Sequence, residues 1–230
     1  MFDVRLPNLR WLEEKGSMDS ILNADPTDEQ GLILFYGPSN FTRWKHSDIS
    51  YKDHRPLEEE IRMKDGSRAC VNHGFGTSSA EELLYYYDRL VRPWKPRALV
   101  LSTGNNFGYG YTAAEVAFMV SRILEWARKD FPGIRLFLEF AEPSPSGKKS
   151  PDAVKCAFKE YNQLMRAYVA EHDDVVGIDC ATIPEFFQPG HVGDYDYPRE
   201  ELFVPDSVHY NQAGYDVYRE IYLRVLDDLL

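Results

Sequence analysis

The sequence is short of cysteine, of long apolar runs and of basic clusters, and each shortage excludes a class of protein. Its 230 residues hold three cysteines, Cys70, Cys156 and Cys180, an odd number spread far apart with no CxxC pair. That set makes neither a disulfide framework nor a zinc site and suits reduced thiols. Cys70 and Cys180 lie in apolar runs and read as small core residues. No uninterrupted apolar stretch approaches the roughly 20 residues that span a bilayer. Met1 to Lys15 mix charged and apolar side chains, without the apolar segment or cleavage site of a secretion signal. The expectation is a soluble, cytoplasmic protein with no membrane partner. Lysine and arginine number 26 against 37 acids, a net charge of -11, which repels a polyanion and argues against a nucleic-acid partner.

Metal ligands are missing in the same way. His46, His54, His172 and His191 fit no H-E-x-x-H spacing and read as surface or loop residues. Asp194-Tyr195-Asp196 reads as a solvated acidic loop rather than a cation site. No metal or organic cofactor is expected.

What the chain does have is alternation. Gly31–Tyr36, Arg68–Asn72, Ala98–Ser102, Ile134–Phe140 and Val175–Asp179 are short apolar runs that read as buried strands. Helical patterns lie between and after them, at Ser79–Val91, Thr112–Lys129, Pro151–His172 and Asn211–Leu230. Ser79 with Glu82 has the capping-box spacing, and Val116, Met119, Ile123 and Ala127 share one helical face. Strand–helix repetition with continuous apolar strands predicts a mainly parallel sheet of about five strands between two helical layers. No linker divides the chain. Residues 1–230 read as one domain, with residues 1–30 as an N-terminal extension packing on it.

In such sheets ligands bind beyond the carboxyl ends of the strands, and polar and glycine-rich segments fall there. Gly37-Pro38-Ser39-Asn40-Phe41 follows the first strand, where Ser39 is either an exposed nucleophile or the cap of the next helix. Asn72-His73-Gly74-Phe75-Gly76-Thr77-Ser78-Ser79 follows the second, a turn whose backbone N–H groups suit an oxyanion or a phosphate. It is not G-x-G-x-x-G, because Ser79 stands where the last glycine belongs. Gly104-Asn105-Asn106-Phe107-Gly108-Tyr109-Gly110-Tyr111 follows the third, with two amides that either donate to an oxyanion or make turns. Before the last helix, Asp206 and His209 stand three apart, on one side of a helical turn, as a carboxylate–imidazole pair requires.

The four segments in this order resemble the SGNH/GDSL hydrolases, a family of esterases and acylhydrolases. The similarity runs from about Gly31 to Tyr218 and takes in Trp44, Pro143-Ser144-Pro145, Leu202-Phe203-Val204-Pro205-Asp206 and the lead-in Asn211-Gln212-Ala213-Gly214-Tyr215. It implies an α/β fold, a three-layer α/β/α sandwich of the flavodoxin-like SGNH-hydrolase type. It also implies Ser39 as nucleophile, His209 as general base and acid, and Asp206 as the group orienting His209. The oxyanion hole would combine the Ser39 N–H, an N–H from Gly76 or Thr77, and the side-chain amide of Asn106, with Asn105 as its rival. Asn40, Tyr109 and Tyr111 are candidate substrate-binding residues, the tyrosines, by their place in the Asn106 loop, either stacking on a sugar or covering an acyl chain, or else packing over the sheet end.

Some residues depart from the family's pattern. Pro38 precedes the serine, Phe107 follows Asn106, and a threonine stands where the second segment usually has glycine. His73 and Glu142 stand where some relatives carry basic residues, implying a less cationic pocket mouth. The resemblance implies a serine esterase on a small acyl ester, such as an O-acetylated carbohydrate. Lysophospholipase or thioesterase activity stays open, as does a non-catalytic phosphate- or nucleotide-binding module on the same scaffold.

Overall fold

The computed structural model describes residues 19, 21–22, 27–45, 54–103 and 106–230. Five strands, β1 (Ile33–Tyr36), β2 (Cys70–Asn72), β3 (Ala98–Ser102), β4 (Arg135–Glu139) and β5 (Val175–Ile178), form one sheet in the order β2-β1-β3-β4-β5. All four pairings are parallel. The strands read from the sequence are those observed, β3 with the same bounds and the other four one or two residues shorter.

Parallel strands need helical crossovers, and burial on both faces demands apolar side chains on both. Ile33 and Phe35 of β1 enter one core while Leu34 and Tyr36 enter the other. On the Leu34 side lie α3 (Ala80–Leu90), α4 (Ala113–Asp130) and α6 (Asp152–Ala170). On the Ile33 side lie α1 (Ser39–Arg43), α2 (Leu57–Glu60) and α7 (Gln212–Val225). The remaining short helix, α5 (Pro145–Lys148), sits between β4 and α6. The expected three-layer α/β/α sandwich is therefore present. Among the described residues, no helix is long and apolar enough to cross a membrane.

Local signals fix the helix starts. Ser79 and Glu82 form a reciprocal capping box on α3, and Thr112 and Glu115 form a second on α4. The four residues chosen for one face of α4 are all buried. The last helix stops at Val225 instead of running to Leu230. Asp227 and Asp228 follow, acids that disfavour the negative end of a helix. They turn outward to Lys64 at 3.0 Å and Arg135 at 2.5 Å.

Two predicted regions meet the limit of the described residues. Of the expected N-terminal extension, Ile21 packs into the core and Asp19 pairs with Arg89. Most of residues 1–30, like His46, Gly104 and Asn105, lie outside the described residues.

Gly214 shows how tightly the last helix is seated. A Cβ there would stand 2.5 Å from the carbonyl oxygen of Leu202 and would also strike the Tyr210 ring. A backbone oxygen cannot yield as a flexible side chain can. Gly214→Ala should therefore destabilise by about 1–3 kcal/mol, despite alanine's higher helix propensity. Urea unfolding measures it. An alanine variant as stable as wild type would mean that the 202–210 loop moves aside.

Candidate active site

The strand order places a topological switch between β1 and β3, where the chain has crossed to opposite faces and the following loops diverge. Ser39 follows β1 and Asn106 follows β3, so both flank that crevice. Ser39 is the first helical residue of α1, half-buried, and Pro38 occupies the capping position with no side-chain bond. Ser39 is therefore not a helix cap. The Pro38 carbonyl accepts the N–H groups of Phe41 and Thr42, each at 3.2 Å.

The second segment is bound tightly to α1. Asn72 donates Nδ2 to the carbonyls of Phe41 at 2.8 Å and Trp44 at 3.2 Å, and its Oδ1 accepts the Gly74 N–H at 2.9 Å. Lys45 is buried and donates Nζ to the Gly74 carbonyl at 3.1 Å. Gly74 itself leaves no room, since a Cβ would lie 2.7 Å from the Thr42 nitrogen. Farther along, Thr77 is exposed and takes a φ of 59°, in the left-handed region that favours glycine. Gly76, beside it, has no such φ. Thr77 thus adopts the conformation for which a glycine would be chosen.

The third segment is a 3₁₀ turn, Asn106–Tyr109. Tyr109 is half-buried and donates its hydroxyl to the Thr77 carbonyl at 3.1 Å, joining the loops that follow β2 and β3. Phe107 is buried edge-on against Phe158 at 5.0 Å.

Asp206 and His209 meet as expected, though not on a helix. The segment is an irregular turn in which Ser207 takes a φ of 64°. Asp206 Oδ1 accepts the N–H groups of Val208 at 2.8 Å and His209 at 2.9 Å, while Oδ2 accepts Nδ1–H of His209 at 2.7 Å. The carboxylate is thereby fixed by its own turn and holds one tautomer of the imidazole. Backbone bonds close the loop, from Val204 N–H to the His209 carbonyl and from Asn211 N–H to the Leu202 carbonyl, each at 2.9 Å. Its tie to the Ser39 turn runs through α7, where Tyr215 donates its hydroxyl to the Asn40 carbonyl at 2.9 Å.

Several expectations are corrected. Tyr111, expected to bind substrate, is buried and donates its hydroxyl to Glu81 Oε2 at 2.6 Å, so it lines no open surface. Asn40, expected in the same role, is buried and gives Nδ2 to Glu142 Oε1. His73 and Glu142 set no charge at a pocket mouth. His73 is fully buried, donating Nδ1–H to the Leu90 carbonyl at 2.6 Å with its ring edge-on to Trp94. His54 is not a surface residue, since it is buried against Tyr215 and Nδ1–H reaches the Arg43 carbonyl at 3.2 Å. In the acidic 194–196 loop, Asp196 pairs with Lys155, but Tyr195 is buried and bonds the Ala141 carbonyl at 2.7 Å.

The fold is that of the GDSL/SGNH α/β hydrolases. A GDSL-like lipase from Bacteroides thetaiotaomicron superposes with a TM-score of 0.65 at 16% identity, covering 94% of this chain and 98% of that one. The lipase/acylhydrolase from Enterococcus faecalis gives a TM-score of 0.63 at 19% identity, covering 86% of this chain and 95% of that one. No curated protein matches the sequence. The model of the GDSL-like Lipase/Acylhydrolase family matches residues 51–217, well over half of the 230, and the chain belongs to that family. Membership supports an esterase or acylhydrolase activity. Ser39 and its turn precede the matched residues.

Sequence reading missed the carboxyl pair beneath the site. Glu139 ends β4 and is fully buried, accepting the Ser102 hydroxyl at 2.7 Å and the Tyr222 hydroxyl. Glu142 lies just beyond it, equally buried. An acid closing an otherwise apolar strand was the available signal. Burial raises both carboxyls above their ordinary value of 4.5, and the charge of Glu139 raises Glu142 further, so the pair titrates between about 7 and about 8. An acid with a raised folded pKa holds more protons folded than unfolded. Its stability contribution is therefore complete below about 4.5 and is lost as pH rises through the folded values. Wild type should lose stability between about pH 5 and about pH 8.5, and Glu139→Gln should lose less over the same interval. Urea midpoints across that range test it. Parallel profiles for the two proteins would show that Glu139 does not titrate there.

Proposed function

We propose that the chain is a serine esterase that cleaves a small acyl ester through an acyl-serine intermediate. The observation that carries this reading is the Asp206–His209 pair, joined at 2.7 Å with both carboxylate oxygens committed to the one turn. Such a carboxylate does two things for an imidazole. It fixes the tautomer that leaves Nε2 to act as base, and it stabilises the imidazolium once a proton arrives.

In the proposed mechanism His209 Nε2 takes the proton of Ser39 as Oγ attacks the ester carbonyl, and the carbonyl oxygen becomes an oxyanion. Its donors are the N–H of Ser39, the N–H of Thr77 and the side-chain amide of Asn106. Thr77 is preferred to Gly76 because it alone adopts the left-handed backbone, and that conformation turns its peptide relative to its neighbours. His209 then gives the proton to the leaving alcohol. Water, activated by the same imidazole, attacks the acyl carbon and frees Ser39.

Substrate class follows from what stays open around the crevice. With Tyr111 in the core, the aromatic support for a sugar reduces to Tyr109, and the reading extends to short acyl esters generally, O-acetylated carbohydrates among them. Hydrolysis of p-nitrophenyl acetate, butyrate and octanoate tests it. Wild type should prefer the short chains, Ser39→Ala should be inactive, and Asn106→Ala should lose roughly 100- to 1,000-fold in kcat. Activity persisting in Ser39→Ala would remove Ser39 as the nucleophile.

A further inference from the structure

The turn that carries Ser39 has little local support. α1 is five residues long, starts behind a proline and has no side-chain cap. A helix this short is unstable alone, so the orientation of its first residue must be imposed from outside. The support falls on the neighbour of the serine. The buried Asn40 is held at both ends, its Nδ2 by Glu142 Oε1 and its carbonyl by the Tyr215 hydroxyl at 2.9 Å.

Glu142 is well placed to act as a fixed point. The residue before it is clamped by Asn162, whose Oδ1 accepts the Ala141 N–H at 3.0 Å and whose Nδ2 donates to the Ala141 carbonyl at 3.1 Å. The Tyr195 hydroxyl binds the same carbonyl at 2.7 Å. Asn162 belongs to α6, so the carboxyl of Glu142 is referred to the helical layer opposite the one that α1 joins. The bond to Asn40 spans 102 residues of sequence and crosses from β4 to the end of β1. Burying a carboxyl is costly unless its hydrogen bonds are made, and this one is made to the residue next to the nucleophile.

Resting on the serine-esterase reading, we propose that Glu142 is a positioning residue for that chemistry. Through Asn40 it fixes the peptide between Ser39 and Asn40, and so aligns the Ser39 Oγ and N–H at the same time. Without it the turn samples orientations in which the hydroxyl and the oxyanion donor do not point at one carbonyl. Alignment matters in the transition state more than in substrate binding, so the loss falls on kcat rather than KM.

The test is steady-state hydrolysis of p-nitrophenyl acetate by the full chain, with kcat referred to fluorophosphonate-titrated sites and Tm recorded for every variant. Glu142→Ala should lose roughly 10- to 100-fold in kcat with KM within about threefold of wild type. Glu142→Gln keeps an oxygen for Asn40 and should recover most of that loss. Asn40→Ala removes the same bond from the other side, so the double variant should be no worse than the poorer single one. Should Glu142→Ala not fold, Asn40→Ala carries the test alone with the same expected loss. Wild-type kcat in either alanine variant, failure of glutamine to rescue, or additive losses would overturn the proposal. Ser39→Ala separates the two readings. If it is inactive while Glu142→Ala is unimpaired, the positioning role alone fails; if it stays active, the nucleophile and the positioning role fall together.

Discussion

The crevice that carries the Ser39 turn depends on the register of β1 between β2 and β3. The four residues of β1 are fully buried, Ile33 and Phe35 facing one helical layer and Leu34 and Tyr36 the other. With side chains alternating at a period of two, a one-residue slip would exchange the contents of the two cores. β1 also lies between β2 and β3, and the helices that follow β1 and β3 pack on opposite faces of the sheet. The crevice at their carboxyl ends is thus a product of connectivity, and the position of Ser39 follows from where β1 must stop.

Above that frame the loops are held under strain. Three described residues other than glycine take a positive φ, and two of them, Thr77 and Ser207, lie in the loops of the proposed oxyanion hole and the Asp206–His209 pair. A side chain in that region costs on the order of 1–2 kcal/mol. Each strained residue has its carbonyl tied from a different element, Thr77 by the Tyr109 hydroxyl at 3.1 Å and Ser207 by the Ser146 N–H at 2.9 Å. Local strain that is overdetermined by neighbours is a mark of a functional site. Here the neighbours are the loops after β3 and β4, so the two strained turns report on the assembly of the whole carboxyl edge.

The strands were legible in the sequence because a sheet buried on both faces must be written as continuous apolar runs. The helix starts were legible where a side chain bonds its own backbone, as Ser79 does with Glu82. Asp206 and His209 could be paired because their contact is local. What could not be read depends on partners far away in sequence. Tyr111 looks like a surface aromatic until Glu81 is found beneath it, and His73 looks like a loop histidine until the Leu90 carbonyl and Trp94 enclose it. Glu142 is the sharpest case, since nothing in Phe140-Ala141-Glu142 announces that Asn40 will cover the carboxyl. The same distance effect ended the last helix early, because the acids at its close answer to Lys64 and Arg135.

The site is best understood as two layers with different demands. The upper layer, the proposed set Ser39, Thr77, Asp206 and His209, is partly exposed, where groups can exchange hydrogen bonds with water at small cost. The lower layer, Asn40, Asn72, Glu139, Glu142 and Asn162, is buried, and there an unmade hydrogen bond costs about 1–3 kcal/mol. Ser102 and Glu139 are register partners on β3 and β4 and also bond through their side chains, so the lower layer is keyed to the sheet itself. A polar network of this kind admits few alternative arrangements, because moving one member orphans another. The proposed chemistry above therefore inherits its geometry from a layer that cannot relax without loss, and the peptide that links Asn40 to Ser39 is where the two layers join.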